Sequence, residues 1–222
     1  MKPKVGKMKE QNTKKQARLF RNPVLEAMTK TSPLISIFFY LPLILALMYV
    51  AIAIKGIPVL TAVLCFIFAF FFWTLSEYLL HRFLFHWISN SKIVMRMHYL
   101  MHGVHHDYPN DEERLLMPPV PGLILASLLF GLFYLLFYIL GMAAITWAFF
   151  PGFFLGYLMY SFIHYSIHKY KPPVFLKPLW LHHKLHHHKY PDKAFGVSSV
   201  FWDRVFRTLP PESNSDKKVV RK

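Results

Sequence analysis

"HYLMHGVHH", residues 98–106, places four histidines in nine positions. Three other stretches share the bias: "HRFLFH" at 81–86, "HYSIHK" at 164–169 and "HHKLHHH" at 182–188. Together these four hold all 13 histidines of the 222-residue chain. On an α-helix, positions i, i+3 and i+4 share a face. His102, His105 and His106 have that spacing, as do His183, His186 and His187, while His164 and His168 form an i, i+4 pair. His81 and His86 stand five apart, about 140° around an ideal helix. They would therefore reach a common point from two directions, or a helix end falls between them.

Neutral imidazole is the commonest side-chain ligand of transition metals. About eight to ten imidazoles suffice for two ions, and all-nitrogen sites suit Zn, Cu, Fe and Ni. A single structural zinc takes only four ligands, so the histidine count exceeds that reading. One histidine near a membrane surface is usually a filler; thirteen in four clusters are not. The lone cysteine, Cys65, excludes an intrachain disulfide and a thiolate-rich zinc site. Carboxylates are scarce, with 11 Asp and Glu in all. Glu77 lies four residues before His81 on the same helical face. It reads as an outer acceptor orienting that imidazole, the other reading being a protonated glutamate inside a bundle.

The residues between the clusters decide the fold class. The chain is 55% hydrophobic, with a mean hydropathy of +0.31. Its apolar residues fall into four blocks at 34–54, 57–80, 120–140 and 142–163, with Glu77 the one charged residue inside them. Each block approaches the ~20 residues a helix needs to cross the hydrocarbon layer. In lipid, only a helix or a closed barrel satisfies the backbone. The expected fold is therefore an all-α integral membrane protein, with four transmembrane helices in two hairpins and a cytosolic, histidine-rich helical cap. "KGIP" joins the first pair and little more than Gly141 the second. The first block starts too late, and without a small-residue cleavage site, for a cleaved signal peptide.

The net charge is +15. Nine Lys and Arg precede the first block, four lie between the second and third, and twelve follow the fourth; only Lys55 falls elsewhere. This one-sided distribution predicts a multi-pass protein with both termini and the histidines on the cytoplasmic side. It explains the basic charge without nucleic acid, for which no recognition motif is present. Three regions are expected. Residues 1–32 form a basic N-terminal segment, Lys- and Gln-rich to residue 17 and then a short interfacial helix. Residues 33–209 form the membrane domain with its metal-binding cap, and 210–222 a polar tail.

"HRFLFH", "HGVHHDYPNDEERLLMPPV", "HYSIH" and "HKLHHHKYPDKAFGVSSVFWDRVF" resemble the fatty acid 2-hydroxylase branch of the fatty acid hydroxylase superfamily, which also holds sterol desaturases and carotene hydroxylases. The resemblance covers about residues 18–209. It implies ten metal ligands: His81, His86, His102, His105, His106, His164, His168, His183, His186 and His187. His98, His182 and His188 are left over, and His98, one turn before His102, is the one expected to touch the site. The chain departs from the family pattern at Ser161, Lys169 and Arg207.

The resemblance further implies a dinuclear centre of two iron ions, replaceable by zinc in purified protein, and O2-dependent hydroxylation of a membrane fatty acyl chain at C2, free or in a sphingolipid or ceramide. The alternative is hydroxylation or desaturation of a sterol, carotenoid or other lipid. A metal transporter would need ligands on both sides of the bilayer, and this chain has them on one. Some relatives carry a fused cytochrome b5 domain; this chain lacks the HPGG haem motif. Electrons are expected from a separate donor, cytochrome b5-like or ferredoxin-type. The expected location is a bacterial inner membrane or the endoplasmic reticulum.

Overall fold

The computed structural model describes residues 16–211. The first fifteen residues, with most of the Lys- and Gln-rich stretch, and the tail beyond 211 lie outside the described residues. Among the described residues nine α-helices follow one another: α1 (Pro23–Ala27), α2 (Pro33–Tyr49), α3 (Val59–Leu79), α4 (Lys92–His98), α5 (Val104–Asp107), α6 (Pro119–Ile139), α7 (Thr146–Lys169), α8 (Lys177–His188) and α9 (Phe201–Val205). No strand occurs among the described residues.

Four helical segments are long and apolar enough to cross a membrane: Pro33–Ile54, Val59–Phe85, Glu112–Ile139 and Ala143–Lys169. The first and third long helices open on proline at the first helical position, where the missing N–H has no intrahelical partner to lose. Ser32 caps α2 by accepting from the Ile35 amide. The second span outruns its apolar block: after Leu79 the chain continues as a π-helix over Leu80–Phe85. The fourth also runs on, to Lys169, because the last turns of α7 stay helical while their residues become histidine and tyrosine.

Span α7 is the centre of the bundle. It packs along α3 and α2, with α6 against its other side, and fourteen of its residues are buried. The α3–α7 contact is backbone-close: a Cβ at Gly152 would stand 2.1 Å from the carbonyl oxygen of Phe66. Lipid offers helices little hydrophobic reason to associate, so close packing over small residues holds such pairs. Around this contact lies an aromatic core, with Trp73, Phe153 and Tyr157 meeting edge to face at 5.0 and 5.4 Å between ring centroids. Apolar side chains such as Leu34, Phe38, Leu60 and Ile139 point outward and are exposed, as spans facing lipid require.

With four crossings, the ends of α3 and α7 that carry histidine, the 86–118 connection and everything after α7 share one side. There, α4, α5, α8 and α9 form a cap. The N-terminal segment is tied to it: Glu26 accepts from the amides of Leu19 and Phe20 and pairs with the buried Arg114, which also pairs with Asp111 at 2.7 Å.

Candidate metal centre

Four helical segments deliver the histidines. The π-helix after α3 carries His81, with His86 at its C-cap. His102 sits in a second π-helical stretch, Tyr99–Gly103, and His105 and His106 in α5. His164 and His168 end α7, and His183, His186 and His187 face inward from α8.

These ten imidazoles meet as two groups of five. His81, His86, His102, His106 and His186 form one; His105, His164, His168, His183 and His187 form the other. Within each group, one nitrogen per residue lies within 4.8 Å of all the others. In the first group, the Nε2 atoms of His81 and His102 lie 3.0 Å apart, those of His102 and His106 2.9 Å, those of His86 and His186 3.0 Å, and those of His81 and His86 3.3 Å. In the second, His105 lies 3.0 Å from His187 and 2.9 Å from His164, and His168 lies 2.9 Å from His183. The groups adjoin where the rings of His106 and His187 stack at 4.3 Å.

Those separations match a coordination shell. Two nitrogens about 2.0–2.1 Å from one ion and at right angles lie about 3 Å apart, and two opposite nitrogens about 4.2 Å. A shared proton serves only one pair of nitrogens, whereas a cation serves all five. Nδ1 of His81 faces the Phe195 carbonyl at 2.5 Å, Nδ1 of His186 the Lys193 carbonyl at 2.7 Å and Nδ1 of His164 the Leu115 carbonyl at 3.1 Å. An imidazole that donates from Nδ1 keeps its Nε2 lone pair free and aimed inward. Nδ1 of His105 and of His183 is buried without a hydrogen-bond partner.

Burial, then repulsion from neighbouring imidazoles, holds His102, His105, His106, His183, His186 and His187 far below the ordinary histidine range. Burial first and His98 second push His86 down to about 4. Neutral imidazole is the form that ligates metal, and at neutral pH these groups are neutral. Two histidine-rich groups of this geometry suit metal binding.

The helical-face reading needs one refinement. His102, His105 and His106 do share a face, but that face straddles the two groups: His102 and His106 go to one and His105 to the other. On α8, His186 likewise separates from His183 and His187. Glu77 requires a correction. It does not touch His81; it accepts from the amides of Val197 and Ser198 at 2.5 and 2.9 Å and from the Ser198 hydroxyl. His81 instead faces the Phe195 carbonyl, two residues earlier in the same loop. His98 belongs to neither group and lies against Gly103.

Sequence reasoning left His182 aside, yet it is buried with its Nε2 3.0 Å from the Asp203 carboxylate. His188 is exposed, and with Lys184 it borders a polar cavity of about 190 Å³ that touches His168 and His187. The backbone carbonyls of Leu115, Lys193 and Phe195 carried no sequence signal at all. Of the departures, Ser161 donates to the Tyr157 carbonyl, Lys169 pairs with Glu112, and Arg207 has a φ of +56°. That left-handed conformation favours glycine.

A larger cavity, about 360 Å³ and mostly apolar, ends on His102, His105 and His164 and runs into the bundle past Ala126, Leu129 and Phe153. Phe20, Leu25 and Met28 of the N-terminal segment close part of its wall.

The family model for fatty acid hydroxylase matches residues 66–208, which include all ten clustered histidines. The chain belongs to the fatty acid hydroxylase family. Among its relatives, the ceramide very long chain fatty acid hydroxylase SCS7 of Saccharomyces cerevisiae is 38% identical over 90% of this chain and 52% of its own length. The fatty acid 2-hydroxylase of Homo sapiens is 42% identical over 64% of this chain and 38% of its own. The dihydroceramide fatty acyl 2-hydroxylase FAH2 of Arabidopsis thaliana is 37% identical over 90% and 83%. This hydroxylase-family chain thus spans about half the length of the yeast relative. A solved structure titled full-length scs7p, with only the hydroxylase domain visible, superposes with a TM-score of 0.79 at 40% identity, covering 89% of this chain and 74% of that one.

Proposed function

We propose that this chain is a membrane-bound monooxygenase that hydroxylates a fatty acyl chain at C2, free or within a ceramide-type lipid, at a dinuclear metal centre. The observation that carries the reading is the junction of the apolar cavity with both histidine groups: His102 belongs to one, His105 and His164 to the other, and all three line its end. The names of the relatives, which are acyl hydroxylases, favour this substrate over a sterol or carotenoid.

The ligands would be His81, His86, His102, His106 and His186 for one ion and His105, His164, His168, His183 and His187 for the other. Bound there, two iron ions would supply the reductive activation of O2 that an unactivated C–H bond demands, one oxygen entering the substrate and the other leaving as water with two protons and two electrons from a separate donor. The chain's own part is to hold and to exclude. The carbonyls of Phe195, Lys193 and Leu115 fix three imidazoles with Nε2 inward. The walls of α6 and α7 keep water from the acyl chain, and the cavity end brings its polar terminus to the histidines. The one-sided Lys and Arg distribution supports placing the cap and both termini on the cytoplasmic side.

Lipid extracts of cells expressing the chain, compared with a His102→Ala control, test this. The expected product carries one added oxygen at C2 of its acyl chains, and the anaerobically purified protein holds two metal equivalents. Oxygen added instead to sterols, or protein that takes up no metal, would overturn the reading.

A further inference from the structure

Loop 193–199, between α8 and α9, carries no metal-type side chain, yet it controls two imidazoles of one histidine group. Its Lys193 and Phe195 carbonyls face Nδ1 of His186 and of His81. Four consecutive amides of the same loop end on just two carboxylates. Phe195 and Gly196 donate to the two oxygens of Asp203, at 2.9 and 2.7 Å. Val197 and Ser198 donate to Glu77.

Both acids are buried, Asp203 at 0% exposure and Glu77 at 3%. Asp203 also accepts from the Thr208 hydroxyl at 2.6 Å and faces Nε2 of His182. The Thr208 oxygen is in turn 3.0 Å from the Tyr78 hydroxyl of α3. The fit leaves no slack: a Cβ at Gly196 would lie 2.1 Å from the Ser199 carbonyl and 2.9 Å from Asp203, and Ala194 holds a φ of +59°.

The arrangement is one-sided. In the other group, His164 takes its anchor from a different segment, the Leu115 carbonyl. We propose that Asp203 and Glu77 are positioning residues for the ion served by His81 and His186, clamping loop 193–199 so that its carbonyls orient those two imidazoles. The proposal rests on the metal-centre reading above. Outer partners of metal-bound imidazoles typically contribute about 10- to 100-fold in metal affinity.

The test is stepwise Co²⁺ titration of the chelator-stripped protein in detergent, read by the visible absorption of the bound ion, for wild type, Asp203→Asn and Glu77→Gln. Wild type is expected to bind two equivalents. Each variant is expected to weaken one equivalent about 10- to 100-fold and to leave the other closer to wild type. Two unaltered equivalents in a variant, or equal weakening of both, would overturn the clamp while leaving the centre intact. Wild type that binds no Co²⁺ would instead overturn the metal-centre reading, and the clamp with it. Thr208→Val, which removes one donor to Asp203 and spares the carboxylate, stands in if Asp203→Asn does not fold, with the same outcomes.

Discussion

The Nε2 atoms of His81 and His86 lie 3.3 Å apart although the two residues are five positions apart, His81 within the π-helix and His86 at its C-cap. On an α-helix this spacing points them in different directions. The π-helical turn over Leu80–Phe85 replaces i→i−4 bonding with i→i−5 bonding, a wider turn that brings His86 nearer the side of His81, and the helix ends before His86. Of the two other π-helical stretches among the described residues, Tyr99–Gly103 carries His102 and Val50–Ile54 carries no histidine. Two of these widened turns thus sit where the first histidine group is assembled.

Removing either group's core should abolish turnover. His102→Ala and His183→Ala are each expected to lose more than the ~100-fold typical of an outer partner, while the protein still fractionates with membranes. His188→Ala should keep activity close to wild type. C2-hydroxylated lipid per unit of membrane-resident protein reads all three.

Acid should destabilise the metal-free chain before it destabilises most carboxylate-held proteins. An unfolded histidine titrates near 6.5, whereas folded His86 titrates at about 4. As pH falls through this window the unfolded chain gains protons that the folded chain refuses, so folding stability falls with pH. The Tm of stripped protein in detergent should drop steadily between about pH 6.5 and 4. A flat profile there would mean the imidazoles are not buried as described.

The cavity should set chain length. Ala126 lies seven residues into α6, about 10 Å from its histidine-side end at 1.5 Å per residue. Ala126→Phe should fill the deep part of the cavity and shift products toward shorter acyl chains, with metal content unchanged. An unaltered chain-length profile would place the substrate elsewhere.

Gly152→Ala should loosen the α3–α7 contact. The added methyl would meet the Phe66 carbonyl at 2.1 Å, and overpacking of this kind costs about 1–3 kcal/mol. A lowered Tm in detergent, with both histidine groups still able to take up metal, is the expected result.

Much of this was legible from residue pattern. The apolar block at 34–54 differs from the observed span Pro33–Ile54 by one residue, because hydropathy and helix length are local properties. The end of α3 was not legible, since hydropathy falls at His81 while the backbone remains helical. Nor was the division of His105 from His102 and His106: spacing fixes a shared face, but which of two centres each ring joins depends on α7 and α8. Asp203 and the loop carbonyls were invisible for a related reason. Spacing does not show which backbone groups a carboxylate or an imidazole will meet, and two of these contacts, Glu77 with Val197 and His81 with Phe195, join residues more than a hundred positions apart.

Helix α8 contributes to both histidine groups, and it is the last of the four contributors along the chain. A nascent polypeptide that has only reached the end of α7 at Lys169 still lacks His183, His186 and His187. Neither histidine group has its full set of donors until translation has reached residues 186 and 187, so an ion held by five imidazoles would be gained only after the last span has been synthesised.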